Sequence, residues 1–191
     1  MKSFSRNFFV KLISRKNCIL ILYVLIICKH FSKKNFFQDN LGYIDKSKTA
    51  VWGWSYGGYL SLMSLAKDKS NVFQCGASVA PVADWSLYDT YYTERYMGLN
   101  TKEDNQVGYN RSSSLHYLKN LKHKKYYLLH GTHDDNVHYQ NSMLLSAALE
   151  SHDILFRQQA YPDQDHSISQ YRIHLDHSLV NFFLDDCFDL L

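Results

Sequence analysis

After Asp39 the chain alternates between short apolar or β-branched runs and longer amphipathic stretches. The short runs have the length and composition of buried strands, and the longer stretches have those of helices that connect them. This alternation predicts an α/β fold class, with a mostly parallel sheet and flanking helices. The predicted strands are 49–52, 75–79, 126–130 and 155–161, the predicted helices are 56–66, 138–150 and 171–183, and a long aromatic connection with short helices follows the second strand.

The first 40 residues differ in character from the remainder. They hold eight Lys or Arg against Asp39 alone, a charge of +7, whereas the whole chain carries +3 and the rest therefore −4. Residues 18–28 read CILILYVLIIC, an apolar run with Lys16 and Lys29 at its ends. A signal-peptide core has about 7 to 15 apolar residues after a basic leader, and a transmembrane helix needs about 20. We therefore predict a basic leader over 1–40, acting as a signal or signal anchor, with a non-native leader and a buried strand as alternatives.

Composition excludes several classes of function. With 46% hydrophobic and 20% charged residues in 191, the chain is suited to one domain with a sizeable core, over 41–191. The positive charge lies in the leader and no nucleic-acid-binding signature accompanies it, so we predict no nucleic-acid partner. The four cysteines, at 18, 28, 75 and 187, form no C-x-x-C pair or Cys/His cluster, so no metal site is predicted. Cys75 and Cys187 remain open to two interpretations, separately buried thiols or a disulfide.

The segment Gly53-Trp54-Ser55-Tyr56-Gly57 matches G-x-S-x-G between a predicted strand and a predicted helix. This is the context of a nucleophile elbow, a sharp turn that raises a serine hydroxyl above the end of the sheet. Glycines are needed there because the tight turn leaves no room for side chains. The backbone N–H of Tyr56, at the start of the helix, is placed to donate to a developing oxyanion.

A serine nucleophile needs a base and an orienting carboxylate, in the chain order Ser, Asp, His for this fold. The loop after strand 126–130 offers two adjacent carboxylates, Asp134 and Asp135, and the loop after strand 155–161 offers His166. The order of these residues along the chain and their placement in loops after strands both agree with this requirement. Nothing local separates the two aspartates, since either could orient the imidazole while its neighbour caps the following helix. His130 is interpreted as a packing residue at the end of its strand.

Four motifs in order resemble the prolyl oligopeptidase family, and specifically its dipeptidyl peptidase IV and fibroblast activation protein branch. They are GWSYGGY at 53–59, YTERYMG at 92–98, HGTHDDNVH at 130–138 and DQDH at 163–166. The resemblance runs from about Leu41 to the C-terminus. It implies part of an α/β-hydrolase fold and a serine peptidase that releases X-Pro or X-Ala dipeptides from polypeptide N-termini through an acyl-enzyme, without a cofactor.

The resemblance also assigns roles to residues. It implies Ser55 as nucleophile, Asp134 as the orienting carboxylate and His166 as general base, which decides between the two aspartates. Asn136 matches a side chain that holds the penultimate carbonyl of the substrate. The residues that match the apolar proline pocket are Tyr56, Val82, Trp85, Tyr88, Tyr92 and Val137. Without the resemblance, these aromatic residues would be interpreted as core packing.

Location and assembly follow from the same resemblance. Cys75 and Cys187 match a family disulfide, and Asn110-Arg111-Ser112 is a glycosylation acceptor. Both features suit an oxidising compartment. We therefore expect a type II membrane protein anchored through residues 18–28, or a secreted protein, acting on peptides with penultimate Pro or Ala, with a homodimer as the family's assembly.

The chain also departs from the family pattern. We expect the residues ahead of Leu41 to supply none of the strands that precede the nucleophile strand in a complete hydrolase domain, which would leave an exposed sheet edge beside it. The family's β-propeller, with its acidic pair for the substrate amine, and an upstream oxyanion tyrosine have no counterpart in the sequence. Two hypotheses follow: a dipeptidyl peptidase of which this is a fragment, or an inactive truncated homologue that serves as a binding or dimerising module.

Overall fold

A computed structural model describes residues 10–13, 18–23 and 44–190, which form one six-stranded sheet with strands in chain order. β1 pairs antiparallel with β2, and every later neighbour pairs parallel. The mostly parallel sheet predicted from the sequence is confirmed. The strands are β1 (Val10–Ile13), β2 (Cys18–Tyr23), β3 (Ile44–Trp54), β4 (Cys75–Val79), β5 (Lys125–Gly131) and β6 (Arg157–Tyr161).

Helices connect the parallel strands. α1 and β4 have the predicted bounds, whereas β3 begins earlier than predicted and the last helix continues into a π-helix. The helices are α1 (Tyr56–Ala66), α2 (Thr90–Met97), α3 (Gln106–Ser112), α4 (Gln140–Ser151) and α5 (Arg172–Asn181), with 3-10 helices at Trp85–Leu87, Ser114–Leu121 and Ser169–Tyr171 and the π-helix at Phe182–Cys187.

The core has two layers, one on each face of the sheet. Successive side chains of a strand point to opposite faces, so β5 divides its residues between them. Tyr127 and Leu129 pack with α5 and the π-helix on one face. Tyr126 and Leu128 pack with α1 and α4 on the other. All four side chains are almost fully buried, which fixes β5 in the middle of the molecule and aims its C-terminal end at the loop that carries Asp134.

The prediction of an exposed edge beside the Ser55 strand is wrong. β2 lies parallel to β3, with Leu20 opposite Thr49 and Tyr23 opposite Trp52, and β1 lies beyond β2. Residues ahead of Leu41 therefore supply two strands. The physical reason is that the run CILILY is continuously apolar, a composition that is typical of strands in parallel sheets.

The signal-anchor prediction covers residues 18–28, of which only 18–23 are described by the structure. Residues 24–28 lie outside the described residues, as do most of residues 1–40. Of the alternatives, a strand describes Cys18–Tyr23 in this structure. Within the described ranges no helix combines the length and the apolar character that crossing a bilayer requires.

A disulfide joins the sheet to the C-terminal end of the described chain. Cys75, the first residue of β4, bonds to Cys187, the last residue of the π-helix, with their Cα atoms 6.0 Å apart and a sequence separation of 112. The sequence left open either two separately buried thiols or a disulfide, and the structure contains the disulfide. It fixes the π-helix against the face of the sheet where Phe182 and Phe183 are buried.

Candidate active site

Ser55 occupies a strained turn between β3 and α1. Its φ of 58° and ψ of −123° lie in a region that non-glycine residues rarely adopt. The turn is held by backbone bonds, because the Ser55 N–H donates to the Val79 carbonyl at 2.8 Å and the Tyr59 N–H donates to the Ser55 carbonyl at 3.1 Å. Tyr56 is the first residue of α1, so its N–H lies at the N-terminal end of the helix.

Two glycines allow this turn to form. A Cβ atom on Gly53 would lie 2.2 Å from the Gly57 carbonyl oxygen, and one on Gly58 would lie 2.9 Å from the Val79 carbonyl oxygen. These are backbone atoms of a strand and a helix that are fixed by their own hydrogen bonds. Side chains at either position would therefore displace Ser55 itself.

Gly53→Ala is expected to destabilise the fold by at least about 3 kcal/mol, because the clash is with backbone that cannot rotate away. Gly108→Ala is the matched control, since the three atoms nearest to a Cβ there all belong to the side chain of Asn105 and none to the backbone. Its cost is about 1 kcal/mol or less, because lost capping is offset by the better helix propensity of Ala. Urea unfolding of both variants measures the difference, and equal destabilisation would contradict the role given to Gly53.

Asp134 lies in the loop that follows β5 and its carboxylate is buried, whereas Asp135 is exposed. Asp134 Oδ1 accepts the N–H groups of Asn136 and Val137, both at 2.9 Å. Asp134 Oδ2 accepts from His166 Nδ1 at 2.7 Å. The structure thus brings Asp134, and not its neighbour, against the histidine that the sequence singled out.

The surroundings of Asp134 keep its carboxyl ionised. Burial by itself raises the pKa of a carboxyl, but hydrogen bonds from His130 and His166, the charge of His166 and the backbone N–H of Asn136 outweigh it and hold the pKa of Asp134 well below its usual range. An ionised Asp134 accepts the proton on Nδ1 of His166, which leaves the lone pair on Nε2 free to take a proton from a nucleophile.

The loops that carry Ser55, Asp134 and His166 are connected directly. The Trp54 indole N–H donates to the His166 carbonyl at 3.0 Å. The His133 N–H donates to the Gln164 carbonyl at 3.0 Å. Gly131 permits this approach, since a Cβ there would lie 2.3 Å from the same carbonyl oxygen. Among the residues that the structure describes, none forms a hydrogen bond with the Ser55 hydroxyl, so Ser55 is related to His166 through Trp54 and the backbone.

His130 is a polar residue of the site that the sequence interpretation treated as packing. It is almost fully buried, and its Nε2 lies 3.0 Å from Asp134 Oδ2 and 2.8 Å from the Val137 carbonyl oxygen. Its Nδ1 lies 2.6 Å from Ser142 Oγ in α4. One feature of the sequence could have indicated this contact: His130 and Asp134 are four residues apart across the end of a strand.

The residues predicted to form an apolar pocket are brought together beside Ser55. They belong to one cluster, centred on Trp85, whose ring centroid is 5.5 Å from that of Tyr56, 6.1 Å from Tyr88 and 6.2 Å from Tyr92. Val82 and Val137 complete the cluster as buried residues. The aromatic residues are as far apart in sequence as Tyr56 and Tyr92, and they meet because Trp85 packs on Tyr56 of α1 and Tyr92 of α2 stacks on Trp85.

Asn136 lies at the edge of this cluster with a fixed orientation. The Tyr88 hydroxyl donates to Asn136 Oδ1 at 2.8 Å. Burial, with the nearby charge of Asp89 and the effects of Tyr92 and Asp134, raises the pKa of Tyr88, so the hydroxyl keeps its proton and remains a donor. The amide NH₂ of Asn136 is then left to donate elsewhere.

Asn110, the predicted glycosylation acceptor, is exposed in α3. Within the described residues no group of three or more His, Cys, Asp or Glu is arranged to hold a metal ion.

A sequence profile described as the prolyl oligopeptidase family matches residues 34–189. The chain belongs to this family. The resemblance read from the four motifs is therefore confirmed, and the sheet and its helices are those of an α/β-hydrolase fold.

Relatives of this prolyl oligopeptidase family member include the following three proteins. Venom dipeptidyl peptidase 4 of Apis mellifera is 49% identical over 146 residues, which cover 76% of this chain and 19% of the relative. Dipeptidyl peptidase 4 of Bos taurus is 45% identical over 154 residues, which cover 80% of this chain and 20% of the relative. Prolyl endopeptidase FAP of Homo sapiens is 42% identical over 150 residues, which cover 78% of this chain and 20% of the relative.

A solved structure agrees with these relatives. Porphyromonas gingivalis dipeptidyl peptidase 4 superimposes with a TM-score of 0.72 at 43% identity, and the match covers 78% of this chain and 21% of that protein. The chain thus spans about a fifth of the length of the relatives it matches.

Proposed function

We propose that the chain carries the catalytic triad of a serine dipeptidyl peptidase, with Ser55 as nucleophile, His166 as general base and Asp134 as the orienting carboxylate. The observation that carries this proposal is the bond from His166 Nδ1 to the buried Asp134 Oδ2, at 2.7 Å, in a loop tied through Trp54 to the strained turn at Ser55. Buried carboxylate, imidazole and a serine on a strand-to-helix turn are the parts that this chemistry requires.

In the proposed reaction, Ser55 Oγ attacks the carbonyl carbon of the scissile bond and gives its proton to His166 Nε2. The carbonyl oxygen becomes an oxyanion and accepts the Tyr56 N–H at the start of α1. The C–N bond then breaks, the leaving amine takes the proton from His166, and an ester of Ser55 remains. Water, deprotonated by His166, releases the dipeptide acid and restores the Ser55 hydroxyl.

The aromatic cluster around Trp85 supports a preference for Pro or Ala before the scissile bond. The proline ring is compact and apolar and has no N–H to satisfy, so an aromatic slot binds it without loss of hydrogen bonds. Asn136, oriented by Tyr88, presents amide N–H groups to the carbonyl of the preceding residue. The proposed products are therefore X-Pro and X-Ala dipeptides from polypeptide N-termini.

The neighbouring tyrosines Tyr91 and Tyr92 of α2 test this slot. Tyr92 packs on Trp85 and Tyr88, whereas Tyr91 is 80% exposed. We expect an aryl phosphonate with a proline ring to phosphonylate Ser55, with loss of its aryloxide, about tenfold faster than one with a leucine side chain, because pocket fit discriminates by roughly that much. Tyr92→Ala is expected to remove most of the preference and Tyr91→Ala to preserve it. Equal rates with both probes on the unsubstituted chain would contradict the proposed specificity.

We further propose a location outside the cell or on its membrane, with glycosylation at Asn110 and a homodimeric assembly. The disulfide between Cys75 and Cys187, the exposed acceptor asparagine and similarity to venom dipeptidyl peptidases support this compartment. The role of residues 1–40 as a signal or signal anchor belongs to the same proposal.

A second candidate is a binding or dimerising module without turnover. It is favoured by one observation: in the described part of the chain His166 is bonded to Asp134, but no hydrogen bond joins it to the Ser55 hydroxyl. The two candidates differ in whether folded protein reacts at Ser55 with a serine-directed probe.

A further inference from the structure

The environment of His130 fixes the position of its protons. Its Nε2 faces two groups that only accept hydrogen bonds, Asp134 Oδ2 at 3.0 Å and the Val137 carbonyl oxygen at 2.8 Å. A bare Nε2 lone pair would face two oxygens and repel both, so Nε2 carries a proton. Its Nδ1 faces the Ser142 hydroxyl at 2.6 Å, and in the neutral ring that hydroxyl donates to Nδ1.

His130 is therefore held at both ends. It is 1% exposed, and Ser142, in the first turn of α4, is fully buried. Through its three contacts the ring connects the end of β5, the loop of residues 134–137 and α4. The surrounding atoms leave one orientation in which every polar atom of the ring has a partner, which is what a buried polar group requires.

We infer that His130 is a positioning residue that holds the Asp134 carboxylate so that it can orient His166, an inference that rests on the proposed function. Two imidazole N–H groups converge on the same oxygen, Asp134 Oδ2, from His130 at 3.0 Å and from His166 at 2.7 Å. The other oxygen, Oδ1, accepts two backbone N–H groups. Four donors thus fix the carboxylate in place and in plane.

Sharing one oxygen between two donors has a chemical consequence. Each donor draws electron density from Oδ2, so Asp134 stabilises a charged His166 without becoming basic enough to remove its proton. Because His130 also donates to the Val137 carbonyl, it places the loop that contains Asn136. His130 does not contact the proposed reacting atoms, and its effect on them passes through Asp134.

The tautomer of His130 tests the inference on the unsubstituted 191-residue chain. With ¹⁵N-labelled histidine, we expect an NMR signal from a buried imidazole with a proton on Nε2 and none on Nδ1, and a second imidazole, His166, with a low-field proton on Nδ1. The His130→Gln variant lacks the signals of the His130 ring, and comparison with it therefore assigns those signals to His130. A proton on Nδ1 and none on Nε2 of neutral His130 would overturn the inference, whatever the activity of the chain.

Two variants at position 130 separate the Asp134 contact from simple packing. His130→Gln keeps an N–H group near Asp134 Oδ2, whereas His130→Leu fills the space without a donor. We expect His130→Leu to slow fluorophosphonate labelling of Ser55 by about tenfold, a part of the roughly 10²- to 10⁴-fold contribution of general-base catalysis, and to move the low-field signal of His166. His130→Gln is expected to label within about threefold of the unsubstituted chain and to leave that signal in place.

Equal rates and equal His166 signals in both variants would show that His130 has a packing role alone. If the unsubstituted chain is folded and is not labelled at Ser55, the proposed function fails, and the tautomer measurement still decides the structural claim about His130.

Discussion

Asp134→Asn is expected to slow labelling of Ser55 by a fluorophosphonate by roughly 10³- to 10⁴-fold. An asparagine amide can donate to His166 Nδ1, which would then accept, so the proton of the neutral ring would move to Nε2. A protonated Nε2 has no lone pair for the Ser55 hydroxyl. The size of the effect follows because the orienting group decides which tautomer the base adopts, not because a charge is lost near the nucleophile.

Asp135→Asn is the matched control, with the same chemical change one residue along. Asp135 is exposed in the same loop, whereas Asp134 is buried against His166. Its labelling rate is expected to stay within about twofold of the unsubstituted chain, because screened surface charges have small effects. Circular dichroism of both variants establishes that they are folded. Equal losses for the two variants, or a larger loss for Asp135→Asn, would contradict the assignment.

Cys187→Ala is expected to lower the melting temperature by about 10 °C in non-reducing buffer. The Cys75–Cys187 disulfide closes a loop of 112 residues, and the chain-entropy account gives about 4 to 5 kcal/mol for a loop on the order of 100 residues. Cys187 is the partner to replace because it is partly buried, whereas Cys75 is completely buried in β4 and a substitution there would add a packing cost.

Reductant provides the control for this prediction. Dithiothreitol should lower the melting temperature of the unsubstituted chain to that of Cys187→Ala and leave the variant unchanged. If the reduced and oxidised forms of the unsubstituted chain melt at the same temperature, the disulfide does not contribute to stability in the way proposed.

The nucleophile turn could be predicted from the sequence because its causes are local. Gly53 and Gly57 lie two residues either side of Ser55, and the strand and helix that flank them have periodic patterns of their own. The helix α1 and the strand β4 consequently have the predicted bounds. The choice between Asp134 and Asp135 could not be made from local sequence, because adjacent loop residues are distinguished only by which one the fold buries.

Two further features depend on contacts that no local pattern contains. His130 lies at the end of a buried strand, as a packing residue would, and its hydrogen bonds come from a loop and from α4, up to 12 residues away. The apolar run at residues 18–23 suits a signal core and a strand of a parallel sheet equally well. Residues 18–23 pair with β3 in the structure, and pairing is a tertiary property that the apolar composition alone does not reveal.

The most direct test of the account is reaction of the folded chain with a fluorophosphonate, read by intact mass and by mapping of the modified peptide. We expect one adduct per chain, on Ser55, and none in the Ser55→Ala variant. A folded chain that takes no adduct, or an adduct that persists in Ser55→Ala, would contradict the proposal that Ser55, His166 and Asp134 act together as one catalytic group.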